Sequence, residues 1–219
     1  MIFQDRQDAG RQLARKLQHY ADKPNVLVLG LPRGGVPVAA EIAMALDAPL
    51  DVFIVRKLGL PGHEEFAYGA IASGGTQVYD SSLVQELGIP DEVLEAIHDR
   101  EWKELQRRER AYRGALPRER IIGRTVILVD DGIATGSSMR AAILALRPRY
   151  PARIVVAVPV AAASVLDTIR QEADEVVCLA SPGVFGAVGE FYEDFGAPTD
   201  EEVVRLLESA NLREPAHAA

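Results

Sequence analysis

The chain has very little cysteine: one residue, Cys178, in 219. One thiol cannot close a disulfide within the chain, and it cannot build a thiolate cluster for zinc. Cys178 stands inside an apolar run, EVVCLA, where a small core side chain is expected rather than a nucleophile. Long apolar runs are missing too. None approaches the roughly 20 residues of a membrane span. The N-terminal stretch MIFQDRQDAGRQL carries charges too early for a secretion signal. A cytoplasmic protein with no membrane role is therefore expected. Positive charge is in the minority, with 24 Lys and Arg against 32 Asp and Glu and a net charge of −8. Coating a phosphate backbone needs an excess of cations, so no nucleic-acid partner is expected. There is no repeat and no low-complexity segment.

What is present is an alternation of short apolar runs and helical segments. NVLVLG (25–30), LDVFIV (50–55), RTVILVD (124–130), ARIVVAVPV (152–160) and DEVVCLA (174–180) read as strands. They are apolar throughout rather than at every second position, as a sheet covered on both faces requires. VPVAAEIAMAL (36–46) puts Val38, Ile42 and Leu46 on one helical stripe. SMRAAILAL (138–146) and SVLDTIRQE (164–172) are further helices. The pattern predicts an α/β fold: an open, mainly parallel twisted sheet with helices on both faces and right-handed crossovers.

Residues 1–219 read as a single domain with two elaborations. The first, 56–123, holds a Gly- and Pro-containing loop, RKLGLPGHEEFAYGA, expected to be a mobile lid. A hairpin around SGGTQ and a long charged helix from about Asp91 to Arg113 follow. The helix mixes Arg100, Lys103, Arg107, Arg108, Arg110 and Arg113 with Glu101, Glu104 and Glu109, the pattern of a solvated face. Val93, Ile97, Trp102 and Leu105 form its packing side, toward the core or a partner subunit. The second elaboration, 181–219, holds SPGVFGAVGEFYEDFGAPTDEE and a terminal helix. Thr199 and Glu202 make a T-x-x-E start signal for that helix.

Ligands of open α/β sheets bind beyond the carboxyl ends of the strands, and three loops there have suitable chemistry. In GLPRGGVP (30–37), Gly34 and Gly35 let the backbone turn toward an anion and Arg33 brings a guanidinium. Val36-Pro37 stands where a P-loop would need Lys-Ser/Thr, which excludes that motif. A tight strand-to-helix turn is the alternative. Arg56 and Lys57 follow the second strand, and His63, Glu64 and Glu65 lie in the loop beyond. These three read as surface residues or as acid–base groups. In VILVDDGIATGSS (126–138), Ala134, Thr135, Gly136, Ser137 and Ser138 form a small, hydroxyl-rich cup ahead of a helix. Asp130 and Asp131 beside it cannot hold a phosphate. They suit sugar hydroxyls or a hydrated divalent cation. Together the two features fit one ligand carrying both phosphate and hydroxyls.

VILVDDGIATGSSM resembles the phosphoribosyl-diphosphate (PRPP) signature of type I phosphoribosyltransferases: an apolar strand, two acids and a small T-G-x-S/T loop. GLPRGG resembles the pyrophosphate loop of that family. Arg56-Lys57 falls where many members carry basic residues ahead of a catalytic loop. The resemblance covers roughly residues 25–180. The whole chain is similar to bacterial phosphoribosyltransferases of undefined acceptor.

The resemblance implies transfer of ribose 5-phosphate from PRPP to a nitrogenous acceptor, with Mg²⁺ as cofactor and release of pyrophosphate. The cup would hold the 5′-phosphate, Asp130 and Asp131 the ribose hydroxyls and Arg33, Gly34 and Gly35 the pyrophosphate. Mg²⁺ would reach Asp130 and Asp131 through water. FGAVGEFYEDFG is similar to the hood of purine-salvage members, with Phe185, Phe191 and Tyr192 as candidates to stack on the acceptor or to pack the hood. The hood leaves room for completion by a second copy in a homodimer. Ala134 departs from members acting on 6-oxopurines, which carry an acid there, so the acceptor stays open. Two rival readings are a non-catalytic PRPP- or nucleotide-sensing regulator of the same fold and a Mg²⁺-dependent phosphate-ester hydrolase.

Overall fold

The computed structural model describes residues 2–60, 63–114, 116 and 118–212, without the side chains of residues 63–66 and 87. In chain order the elements are α1 (Arg6–Lys16), β1 (Val26–Gly30), α2 (Gly35–Leu46), β2 (Leu50–Val52), β3 (Val55–Leu60), β4 (His63–Ala72), β5 (Thr76–Tyr79), α3 (Ser81–Leu87), α4 (Asp91–Arg113), β6 (Thr125–Val129), α5 (Ser137–Leu146), β7 (Arg153–Val160), α6 (Ala163–Glu172), β8 (Glu175–Ala180) and α7 (Asp200–Asn211). Short 3₁₀ turns fill some of the connections.

The central sheet is parallel, in the order β2-β1-β6-β7-β8. Its strands are apolar throughout because each serves two cores. Val26, Val28, Ile127, Val129, Val155 and Ala157 pack with Leu13 of α1 and Ile42 of α2. Their neighbours Leu27, Leu29, Val126, Leu128, Ile154 and Val156 pack with Ile143 of α5 and Ile169 of α6. The two-residue period of the strand thus feeds opposite helical layers.

The strand expected over 50–55 stops at Val52. Asp51 anchors this short strand. Its buried carboxylate accepts from the Val52 amide at 2.7 Å and the Glu119 amide at 3.1 Å, and pairs with Arg113 at 2.9 Å. The chain then leaves the sheet and builds a second, antiparallel one, β3-β4-β5. The stretch expected as a loop over 56–69 is therefore largely strand, on either side of residues 61 and 62, which lie outside the described residues. Gly59 occupies an irregularity in the β3–β4 register, which reconciles a glycine with a strand. Leu58, Tyr68 and Ile71 bury against Ile97 and Leu105 of α4 in the first core. The hairpin expected around SGGTQ is the β4–β5 turn, with Gly74 and Gly75 at φ of 83° and 82°.

Helix α4 has the expected bounds, but its charged face is not uniformly solvated. Glu101 and Arg113 are buried, at 6% and 8% exposure. In α7, Thr199 caps the start by accepting from the Glu202 amide at 3.1 Å. Tyr112 of α4 donates to Asp200 of α7 at 3.1 Å and ties the two helices. Helix α1 was not anticipated. Asp5 caps it, and Ala9, Leu13 and Leu17 bury. Ahead of α1, Phe3 joins the segment after β8 by bonds from its amide to Phe191 O and from the Glu193 amide to its own carbonyl, both 2.8 Å. Among the described residues no helix is long and apolar enough to cross a membrane.

Between β2 and β6 the chain crosses from one side of β1 to the other. The connections leaving β1 and β6 run in opposite directions, which opens a crevice at their carboxyl ends.

Candidate active site

The crevice brings together the loop after β1 and the loop after β6. Leu31 donates its amide to Val129 O at 2.9 Å, which locks the two strand ends side by side. Gly34 and Gly35 then lie against the two aspartates. A Cβ on Gly34 would collide with the Asp131 carboxylate, and one on Gly35 would sit 2.9 Å from the Asp130 Cα. These glycines therefore make room for the acids. The Gly35 amide is already used, donating to Leu31 O at 2.9 Å, and the Pro32–Arg33 peptide is cis. Arg33 is exposed and approaches Asp200 of α7 at 3.5 Å.

The aspartates sit in different environments. Burial and the neighbouring Asp131 charge hold the Asp130 carboxyl well above the usual carboxylate range. Burial also raises Asp131, but Arg6 opposes it. Arg6 Nε reaches Asp131 Oδ2 at 2.8 Å, and its Nη1 donates to Gly196 O at 2.7 Å. The same guanidinium lies 3.9 Å from the Phe195 ring centroid. Arg6 is a site residue that the sequence reading missed. Asp5 as a helix cap with Ala9, Leu13 and Leu17 at helical spacing was the signal for α1, but no local pattern points Arg6 at Asp131.

The cup forms where β6 passes into α5. Gly136 has φ of 76° and supplies no side chain to cap the helix, so the first turn of α5 presents amides to an anion, with the Ser137 amide lying 3.5 Å from Thr135 Oγ1. Thr135 and Ser137 hydroxyls are 3.1 Å apart, and Ala134 and Ser138 are exposed at the rim. Lys57 Nζ donates to Ser137 Oγ at 3.2 Å. Arg56, its neighbour on β3, points the other way. Its guanidinium meets Glu101 Oε2 through Nε at 2.7 Å and Nη2 at 2.6 Å. Adjacent strand residues alternate faces, so one basic dipeptide serves two walls. A cleft of about 530 Å³ lies between these walls, with Pro32, Lys57, Asp130 and Ser138 in its lining. Glu101 is the second residue missed. Its sequence context reads as one more charge on a solvated helix.

Two acids thus stand beside the start of a helix at the switch point of a parallel sheet. The phosphoribosyl transferase domain family matches residues 2–195. The chain belongs to the phosphoribosyltransferases. Two relatives from strains of Mycobacterium tuberculosis, "Putative phosphoribosyl transferase Rv0571c" and "Putative phosphoribosyl transferase MT0597", are each 44% identical over 210 residues. These matches cover 96% of this chain and 47% of each relative, so the chain spans about half their length. The crystal structure of TT1426 from Thermus thermophilus is similar at a TM-score of 0.87 and 44% identity, covering 95% of this chain and 99% of that one.

The segment after β8 is tied to the site through Tyr192. Tyr192 is buried, and its hydroxyl donates to the Asp131 carbonyl at 2.6 Å. Its ring lies 5.4 Å from Phe3 and 5.0 Å from Phe195. Burial pushes its phenol strongly upward, so it stays neutral. Of the three aromatic candidates, Tyr192 is therefore scaffold for the Asp131 loop. Phe185 and Phe191 are partly exposed and stack on each other at 5.4 Å. The side chains of His63, Glu64 and Glu65 lie outside the described residues. Cys178 is part-buried, its thiol raised by burial and donating to Ala180 O, as befits a packing role.

Proposed function

We propose that this chain transfers the ribose 5-phosphate of PRPP to a nitrogenous acceptor, a nucleobase or related compound, with release of pyrophosphate. The observation that carries this reading is the juxtaposition of Asp130 and Asp131 with the uncapped start of α5. The α5 amides with Thr135, Gly136, Ser137 and Ser138 receive the 5′-phosphate, and Lys57 beside Ser137 adds a charge. Asp130 and Asp131 accept from the ribose hydroxyls. Arg33 and Arg56 face the pyrophosphate. As the bond at C1 breaks, positive charge grows on the sugar over the two carboxylates, and negative charge grows on the departing pyrophosphate beside the arginines.

The site fits Mg²⁺. Among the described residues no cluster of three ligating groups forms a protein-only cage. Mg²⁺ usually takes one or two carboxylates together with substrate oxygens and water. Asp130, destabilised by burial and by the neighbouring Asp131 charge, is a carboxylate that a cation would relieve. Bound there through water, Mg²⁺ would neutralise the pyrophosphate charge. Phe185 and Phe191 are the hood residues proposed to meet the acceptor.

The test is a pyrophosphate-release screen with PRPP, Mg²⁺ and a panel of bases and amines. Release with one acceptor class is expected. The double variant Asp130→Asn/Asp131→Asn should bind PRPP far more weakly, and unchanged affinity would refute the site.

A further inference from the structure

Helix α4 was expected to present a solvated face, yet it walls one side of the cleft. Arg100, Glu101 and Arg108 of α4 join Arg56, Lys57 and Asp130 in the cleft lining. Among the described lining residues that is four cations against two carboxylates, in a chain whose net charge is −8. The local excess is built. Glu101 is 6% exposed and uses both carboxylate oxygens, Oε2 for Arg56 and Oε1 for the Arg100 Nε at 2.9 Å. One carboxylate thus orients two guanidiniums and neutralises only one. Glu104 is shared in the same way between Arg107 and Arg108, at 2.7 Å each. It engages the Nε of Arg108, a residue that lines the cleft. Tyr112 of α4 and Arg33 of the loop after β1 both reach the Asp200 carboxylate, at 3.1 Å and 3.5 Å, which brings the α4 wall and that loop together.

We infer that α4 supplies a pyrophosphate-binding wall: Arg108 and Arg100, with the Glu101-oriented Arg56, grip the diphosphate of PRPP. This inference rests on the phosphoribosyl reading and names who holds the leaving group. Planar guanidiniums match phosphate oxygens in pairs. Arginines held by shared carboxylates stay apart until an anion arrives. The wall also gives a use for Arg100 and Arg108, which a helix needing only solubility would not direct into a cleft.

The experiment is calorimetric titration of wild type, Arg108→Gln and Arg108→Lys with three probes: magnesium pyrophosphate, PRPP and ribose 5-phosphate. Arg108 is part-exposed on a helix surface, so both variants are expected to fold, with melting temperature as the check. Arg108→Gln should weaken pyrophosphate and PRPP by about ten- to a hundred-fold, the range for a charge-assisted bond. It should leave ribose 5-phosphate within about two-fold. Arg108→Lys should recover part of the loss. Equal pyrophosphate and PRPP affinities in wild type and Arg108→Gln overturn the wall while the phosphoribosyl site stands. Equal weakening of ribose 5-phosphate overturns it too, because the effect then lies elsewhere in the site. A wild type that binds pyrophosphate through Arg108 but not ribose 5-phosphate refutes the phosphoribosyl reading and upholds the wall.

Discussion

Replacing Arg6 by Met keeps most of the side chain's length and removes its charge. Four contacts go with it: the 2.8 Å pair with Asp131, the 2.7 Å bond to Gly196 O and the approaches to the Phe195 and Tyr192 rings. At 2.8 Å and an effective dielectric near 20, the lost attraction is about 6 kcal/mol gross. Relief from burying the guanidinium returns some of it. What remains is an aspartate that is 15% exposed, next to a second carboxylate and without its cation. Breaking such a pair from one side costs about 3–5 kcal/mol. At about 2–4 °C per kcal/mol for a chain of this size, the melting temperature should fall by roughly 6–20 °C. The assay is thermal unfolding of wild type, Arg6→Met, Asp131→Asn and the double variant. In the double variant no unpaired charge remains, so it should be more stable than Arg6→Met alone. A fall of less than about 1 kcal/mol in Arg6→Met, near the ceiling for an exposed pair, would refute the argument. So would a double variant as destabilised as the sum of the single changes.

Burial and the Asp131 charge raise the Asp130 carboxyl above its unfolded value. Its contribution to ligand-free stability is therefore present in full below about pH 4 and is lost as pH rises from there through the raised folded-state value. Asp130→Asn should flatten that slope in a melting series across pH and raise the neutral-pH melting point, and an unchanged slope would contradict it. Gly34→Ala drives a methyl into the Asp131 carboxylate, so it should cost about 1–3 kcal/mol and weaken PRPP binding, read by chemical denaturation and titration. Full retention of both would show that the loop after β1 does not need its glycine.

The family was legible before the fold was. VILVDDGIATGSS holds its strand, acids and cup within 13 contiguous residues, so local spacing carries the chemistry. The bounds of α4 and the Thr199 cap of α7 were legible for the same reason. The β3–β4 pair was not. Gly59, Pro61 and Gly62 punctuate it as a loop, and only burial of Leu58, Tyr68 and Ile71 against α4 turns it into sheet. Tyr192 reads from the sequence as either an acceptor-stacking or a packing aromatic, and only its bond to the Asp131 carbonyl decides for packing.

The sequence by itself determined the alternating α/β pattern, the doubly covered strands and the acid-and-cup motif. Each of these depends on side-chain period or on neighbours a few residues apart. Strand order, the crevice between β1 and β6, Arg6 on Asp131 and Glu101 on Arg56 were decided by the tertiary structure alone. The partners in those last two pairs lie 125 and 45 residues apart along the chain. Nothing local distinguishes such a charge from one bound for water. It becomes part of a site only when packing buries it beside its opposite.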